Sequence, residues 1–149
     1  MIPAFMMLAF EQAYLAREVG EMPIGAVVVK DSKVIGRGYN NTLTNSDPTC
    51  HAEIMAIRDA TKNISDWRLT GCSIYVTLEP CPMCVGAILL SRISKIYYAA
   101  YDPKDGACGS RYNLAVHPIF GHSAQVVKTE GGKEASELIR DFFRSKRKK

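Results

Sequence analysis

Residues 72–90, CSIYVTLEPCPMCVGAILL, run from a strand through a stop into a helix, and this stretch decides the fold. From Cys72 to Leu78 the residues alternate, placing Ile74, Val76 and Leu78 on one face at the period of a β-strand. Pro80 and Pro82 end that run, and residues 81–90 read as a buried helix with proline near its first turn, where a missing N–H costs little. Ile93–Ala100 is another strand. Upstream, Ile24–Lys30 and Lys33–Tyr39 are β-rich runs around Asp31-Ser32, which reads as a hairpin. Residues 40–48 are polar and punctuated, hence a loop, and a helix is expected over about 51–61. Phe5, Leu8, Ala9, Ala13, Ala16 and Val19 recur at helical spacing and Gly20 closes that helix. A short strand at Ala124–Thr129 and an amphipathic helix over about 133–144 follow a Gly- and Ala-rich loop at 102–110. With no internal repeat and no linker, the chain 1–149 reads as one α/β domain, a sheet of about five strands covered by helices.

The composition agrees. The 149 residues are 47% hydrophobic and 23% charged, close to the globular average, which excludes disorder and low-complexity readings. A chain of this length buries roughly 68–70% of its unfolded surface without disulfide staples. No apolar run reaches the roughly 18 residues of a membrane span. Met1–Phe10 is apolar but lacks a basic leader and a small-residue cleavage site, so it reads as the first helix rather than a signal peptide, and the expected location is cytoplasmic.

The net charge of +4 is unevenly placed. Arg140–Lys149 holds six basic residues and one acidic residue, so the other 139 residues carry 13 basic and 14 acidic ones. Such a tail is either a solvated helix end or a contact for a polyanion such as RNA. The five cysteines are odd in number, and Cys81 and Cys84 form a C-x-x-C, which points to metal or redox chemistry rather than a disulfide framework.

The chemistry lies in His51-Ala52-Glu53 and Pro80-Cys81-Pro82-Met83-Cys84. One imidazole and two thiolates suit zinc, and three protein ligands leave a fourth tetrahedral position open for water, the mark of a catalytic site. Cys81 and Cys84 are three apart at an expected helix N-terminus, where the dipole favours thiolates. Residues two apart on a helix lie about 200° from each other. His51 and Glu53 therefore converge only if His51 belongs to the entering, non-helical turn. Glu53 would then stand beside an activated water as a general acid–base. The joined pattern H-x-E…P-C-x-x-C is a known signature of zinc nucleobase deaminases. A redox pair or half of a structural zinc ribbon is the alternative for the C-x-x-C, but neither explains Glu53, and no second C-x-x-C is present. Cys50, Cys72 and Cys108 read as small buried residues, with Cys50 the one candidate for a fourth ligand.

With these residues in hand, the chain resembles the tRNA-specific adenosine deaminases, the TadA family of the cytidine-deaminase-like fold. The resemblance extends over nearly the whole chain. It includes Met22-Pro23-Ile24-Gly25, Asp47-Pro48-Thr49, Asp102-Pro103-Lys104, Gly109-Ser110 and Phe142-Phe143-Arg144 beside the two zinc-type motifs. It implies a three-layer α/β/α sandwich with a mixed sheet. The implied activity is hydrolytic deamination of the wobble adenosine of a tRNA anticodon, in bacteria that of an arginine tRNA, to inosine with release of ammonia. Carried over, His51, Cys81 and Cys84 would bind one Zn2+ per subunit and Glu53 would shuttle protons. Asn40 would hold the target base; read from its surroundings alone it is a turn residue. Asp102 would lie near the target sugar, and Phe143, Arg144, Lys146 and Arg147 would face the anticodon stem-loop.

The family implies a homodimer and no membrane. Tyr101 and Arg111-Tyr112 depart from its usual residues near the substrate loop. The rival readings are a deaminase of a free base or nucleoside, such as guanine or cytidine, and a non-catalytic zinc or RNA-binding protein.

Overall fold

The computed structural model describes residues 1–147, so Lys148 and Lys149 of the basic tail lie outside the described residues. In chain order it contains α1 (Ala4–Glu18), β1 (Gly25–Lys30), β2 (Lys33–Tyr39), α2 (Ala52–Ile64), β3 (Ser73–Leu78), α3 (Pro82–Leu90), β4 (Lys95–Ala100), β5 (Gln125–Lys128) and α4 (Gly132–Arg147), with one 3-10 turn at Ile119–Gly121. The five strands form one sheet in the order β2-β1-β3-β4-β5. β1 pairs antiparallel with both β2 and β3, while β3, β4 and β5 run parallel, so the sheet is mixed. No helix among the described residues is long and apolar enough to cross a membrane.

Strand alternation builds two cores on opposite faces of the sheet. Ala26, Val28, Ile74, Val76 and Ile96 pack under α2 and α3, and Val27, Val29, Tyr75 and Tyr97 pack under α1 and α4. The expected three-layer sandwich is what forms. Leu78 departs from its expected face: as the last residue of β3 it packs with the α1–α4 cluster, as does Ala100, its partner in register. In α1 the buried stripe is Met6, Ala9, Phe10, Ala13 and Ala16, with Phe5 and Leu8 only at its margin. Val19 is exposed because the helix ends at Glu18. Gly20, with φ of +80°, then closes α1: its N–H reaches the Arg17 carbonyl (3.1 Å) and the Glu21 N–H reaches that of Ala16 (2.9 Å).

β2 runs antiparallel to β1, and so does β3; the C-terminal ends of β2, β3 and β4 therefore share one edge of the sheet. The segments that follow these strands carry Asn40, His51, Glu79, Cys81 and Asp102, which is the edge where open α/β sheets hold ligands. The seat of α2 depends on Gly36 and Gly38 of β2. A Cβ at either position would overlap the α2 backbone at Ala56, and one at Gly38 would also lie 2.7 Å from the Met55 Cβ. Small residues on both sides, Ala56 and Ala60 on the helix, let the backbones touch.

Gly38→Val should therefore push α2 away from β2 and cost about 1–3 kcal/mol. Urea unfolding followed by circular dichroism measures it; unchanged stability would mean that α2 does not depend on this contact.

Candidate active site

His51 is the N-cap of α2, with extended φ/ψ of −71° and 157°. Cys81 is the N-cap of α3 at −78° and 172°, with Pro82 opening the helix and Cys84 in its first turn. Two helix N-termini thus face each other, and the His51 Nδ1 lies 3.6 Å from the Cys81 Sγ and 3.5 Å from the Cys84 Sγ. The three possible ligand atoms all lie within 4.8 Å of one another. Among the described residues no other such group of His, Cys, Asp and Glu occurs. Cys50 is not part of it. Its buried sulfur accepts from Asn45 Nδ2 (3.6 Å) and Arg58 (3.9 Å). Cys72 and Cys108 are buried thiols, also outside the cluster.

Because His51 occupies the extended cap, Glu53 in the first helical turn reaches the same point. Its side chain is buried, at 4% exposure. Burial pushes its carboxyl up to about 7, with the neighbouring Cys81 adding to the rise and His51 opposing it. Hydrogen bonding from Cys84 brings the Cys81 thiol down to about 4 despite burial, with His51 contributing as second donor. The Cys84 thiol moves upward for the reciprocal reason: it donates to Cys81 and is buried. The His51 imidazole is raised by its hydrogen bond to Cys81. Two cysteine sulfurs and one imidazole held this closely form a donor set compatible with zinc.

A cavity of about 590 Å³ opens above this cluster, and His51, Glu53 and Cys81 line its floor. Asn40, Asp102 and Phe143 also line it. Asn40 is only 7% exposed, deeper than a turn residue needs to be. Asp102 shapes its own loop, since its Oδ1 accepts the Lys104 and Asp105 N–H groups (both 3.1 Å). Arg144, Lys146 and Arg147 do not line the cavity; they are exposed on the last turns of α4. Arg144 lies 3.9 Å from Asp141, and Lys146 sits over the Phe142 ring. Neither Phe142 nor Phe143 anchors α4 in the core: Ala135 and Leu138 do, while Phe143 is exposed. Tyr101 is at the mouth with Lys128 over its ring, whereas Arg111 and Tyr112 lie away from it.

Three lining or supporting residues escape sequence reading. Arg140 lines the cavity from α4, one basic residue among several in the tail. Glu21 and Glu79 are fully or nearly fully buried acids. Glu21 accepts the Leu43 N–H at 3.2 Å, and the Thr44 N–H and hydroxyl at 2.6 Å each, so it ties the loop after Asn40 to the end of α1. Glu79 does the same for the loop after β4. Their partners are far away in sequence; the only local signal is an acid set among apolar residues or prolines.

The comparisons with known proteins give the family. The MafB19-like deaminase family model matches residues 3–147. The tRNA-specific adenosine deaminase of Bacillus subtilis is 43% identical over 145 residues, covering 97% of this chain and 90% of that protein. The chain belongs to the tRNA-specific adenosine deaminase family. A solved structure from work on A-to-I editing by tRNA:A34 deaminases at the wobble position of transfer RNA superposes with a TM-score of 0.85 at 44% identity, covering 90% of this chain and 97% of that one. Guanine deaminase from Bacillus subtilis shares the fold less closely, with a TM-score of 0.63 at 31% identity over 97% of this chain and 92% of that one. Between these two likenesses, both sequence and shape favour the family of the tRNA enzymes.

The Glu21 carboxyl is held below its ordinary range: burial opposes this, and the Thr44 hydroxyl and the Thr44 and Leu43 amides overcome it. A carboxyl lowered by folding stabilises the native state above its unfolded pKa and loses that contribution as pH falls through the folded value. Glu21→Gln should thus destabilise the protein at neutral pH, and the difference from the unsubstituted chain should shrink in acid. Urea unfolding across pH measures this; a gap that widens in acid would contradict it.

Proposed function

We propose that this protein hydrolyses the wobble adenosine of a tRNA anticodon to inosine, with an arginine tRNA as the substrate and ammonia as the second product. The observation that carries this reading is a single cavity that combines the His51–Cys81–Cys84 group, the buried Glu53 and Asn40 beneath a basic helix. His51 Nδ1 and the two sulfurs would hold zinc, which supplies Lewis-acid activation of water near neutral pH. Glu53 is the proton carrier. As the carboxylate it takes one proton from the attacking water and delivers it to N1 of the purine; it then takes the second proton from the hydroxyl formed at C6 and delivers it to the leaving amine, so ammonia departs and inosine keeps its N1 proton. Asn40, free to face the cavity, offers both a donor and an acceptor to the base edge. Such a base must leave its stack to reach the floor.

Phe143 and Arg140 at the mouth, with Asp102 on the opposite side, meet the flanking nucleotide and sugar. Arg144, Lys146 and Arg147 continue the basic face along which the stem-loop phosphates run. The tRNA substrate places the work in the cytoplasm. The enzyme acts as a homodimer: Met83 and Leu90 expose an apolar face of α3, and Gly86 between them has open space around it. Analytical ultracentrifugation should return the dimer mass, and Leu90→Arg should return the monomer. A monomeric parent protein would contradict this.

The test of the activity is turnover of an anticodon stem-loop with adenosine at the wobble position, read as an A-to-G change after reverse transcription. The zinc-loaded protein should form inosine, and chelation should abolish it until zinc is restored. Glu53→Ala should lower the rate by about 10²–10⁴-fold while zinc stays bound. Turnover of guanine or cytidine with none of the RNA would overturn the tRNA assignment in favour of a free-base enzyme.

A further inference from the structure

Glu79 is 2% exposed and takes no part in the proposed proton transfers. It stands between the last residue of β3 and Pro80, with Cys81 next but one. Four donors converge on its carboxylate, and all come from the segment after β4. Oε1 accepts the Asp102 N–H (3.1 Å) and the Ser110 hydroxyl. Oε2 accepts the Cys108 N–H (3.0 Å) and the Ser110 N–H (3.1 Å). Each oxygen therefore has two donors. Among the described residues no cation pairs with it; three backbone amides and one hydroxyl of a single loop satisfy it.

The surrounding contacts tighten the same joint. The Glu79 N–H reaches the Ala100 carbonyl (2.9 Å) and the Ala107 N–H reaches that of Pro80 (2.8 Å). Gly106 lies directly against the carboxylate, where a Cβ would overlap it. On one side of this joint is Cys81 of the metal-type cluster; on the other are Tyr101, Asp102, Lys104 and Asp105, which form one wall of the cavity. A buried carboxylate is a costly way to close a loop by comparison with apolar packing. What it adds is direction, because four oriented donors leave the loop a single register relative to Cys81.

We propose that Glu79 is the positioning residue for the RNA-facing wall of the cavity. Resting on the tRNA-deaminase reading above, it sets Asp102 and its neighbours at a fixed distance from the cluster. The target sugar and the adjoining nucleotide then dock while the base reaches Glu53. Glu79 acts on substrate binding and leaves proton transfer untouched. Its loss should appear in KM and not in kcat, because the interaction serves the bound substrate and the transition state alike.

The test is steady-state kinetics of the zinc-loaded full chain on the anticodon stem-loop, with bound zinc measured on the same samples. In Glu79→Gln the amide NH2 opposes backbone donors that the carboxylate accepted, so KM should rise by roughly tenfold or more, with kcat within about threefold and zinc unchanged. Ser110→Ala removes one donor group and preserves the backbone joint; KM should rise by about threefold with kcat and zinc unchanged. Ser110→Ala decides the matter if Glu79→Gln does not fold. An unaltered KM in the folded variants overturns the proposal, and so does a fall in kcat accompanied by loss of zinc. If the unsubstituted enzyme turns over no stem-loop RNA, the tRNA reading fails and this proposal with it, an outcome distinct from normal parental turnover with unaltered variants.

Discussion

The meeting of two helix N-termini at one edge of the sheet is the constraint on which the rest depends. α2 and α3 each begin with a ligand-type residue in extended conformation, His51 and Cys81, so both caps point to the same place. α2 could not deliver His51 from a position further along, since helical periodicity would turn His51 away from Glu53. α3 is placed by the parallel β3–α3–β4 crossover. α2 is placed by its contact with the glycines of β2. The dipoles of both helices favour negative charge at the junction, which suits thiolates and a nearby carboxylate.

Around that junction the protein uses buried acids in two different ways. Glu53 is buried beside the His51–Cys81–Cys84 group, and burial pushes its carboxyl upward. Glu21 and Glu79 are saturated by amide and hydroxyl donors and hold loops in place on either side of the cavity. The same side-chain chemistry thus serves transfer in one setting and fixation in the other two. What separates them is the supply of hydrogen-bond donors. Charge is divided as well: residues 1–139 are nearly neutral, and Arg140, Arg144, Lys146 and Arg147 lie along the C-terminal half of α4, with Arg140 lining the cavity.

Much of this was legible in the sequence because it is local. The C-x-x-C after a strand and the H-x-E at a helix start carry their geometry in their spacing, the alternation of β3 marks a strand, and the β-rich runs of β1 and β2 around Asp31-Ser32 mark the hairpin. The unread parts are long-range. The α1 stripe is centred on Met6 and Phe10 because of what the sheet offers it, and α4 is anchored by Ala135 and Leu138 rather than by its two phenylalanines. Glu21 and Glu79 act on segments more than twenty residues away, so nothing beside them in the chain announces the role. Arg140 is indistinguishable from its basic neighbours until the cavity is seen.

The most direct measurement is X-ray absorption at the zinc edge of the zinc-loaded protein, which reads the ligand set without reference to activity. One imidazole and two thiolates at the junction predict two sulfur scatterers at about 2.3 Å and one histidine nitrogen at about 2.0–2.1 Å, with one further light atom. A shell of four sulfurs, or one without sulfur, would show that the two helix N-termini do not form a three-ligand centre.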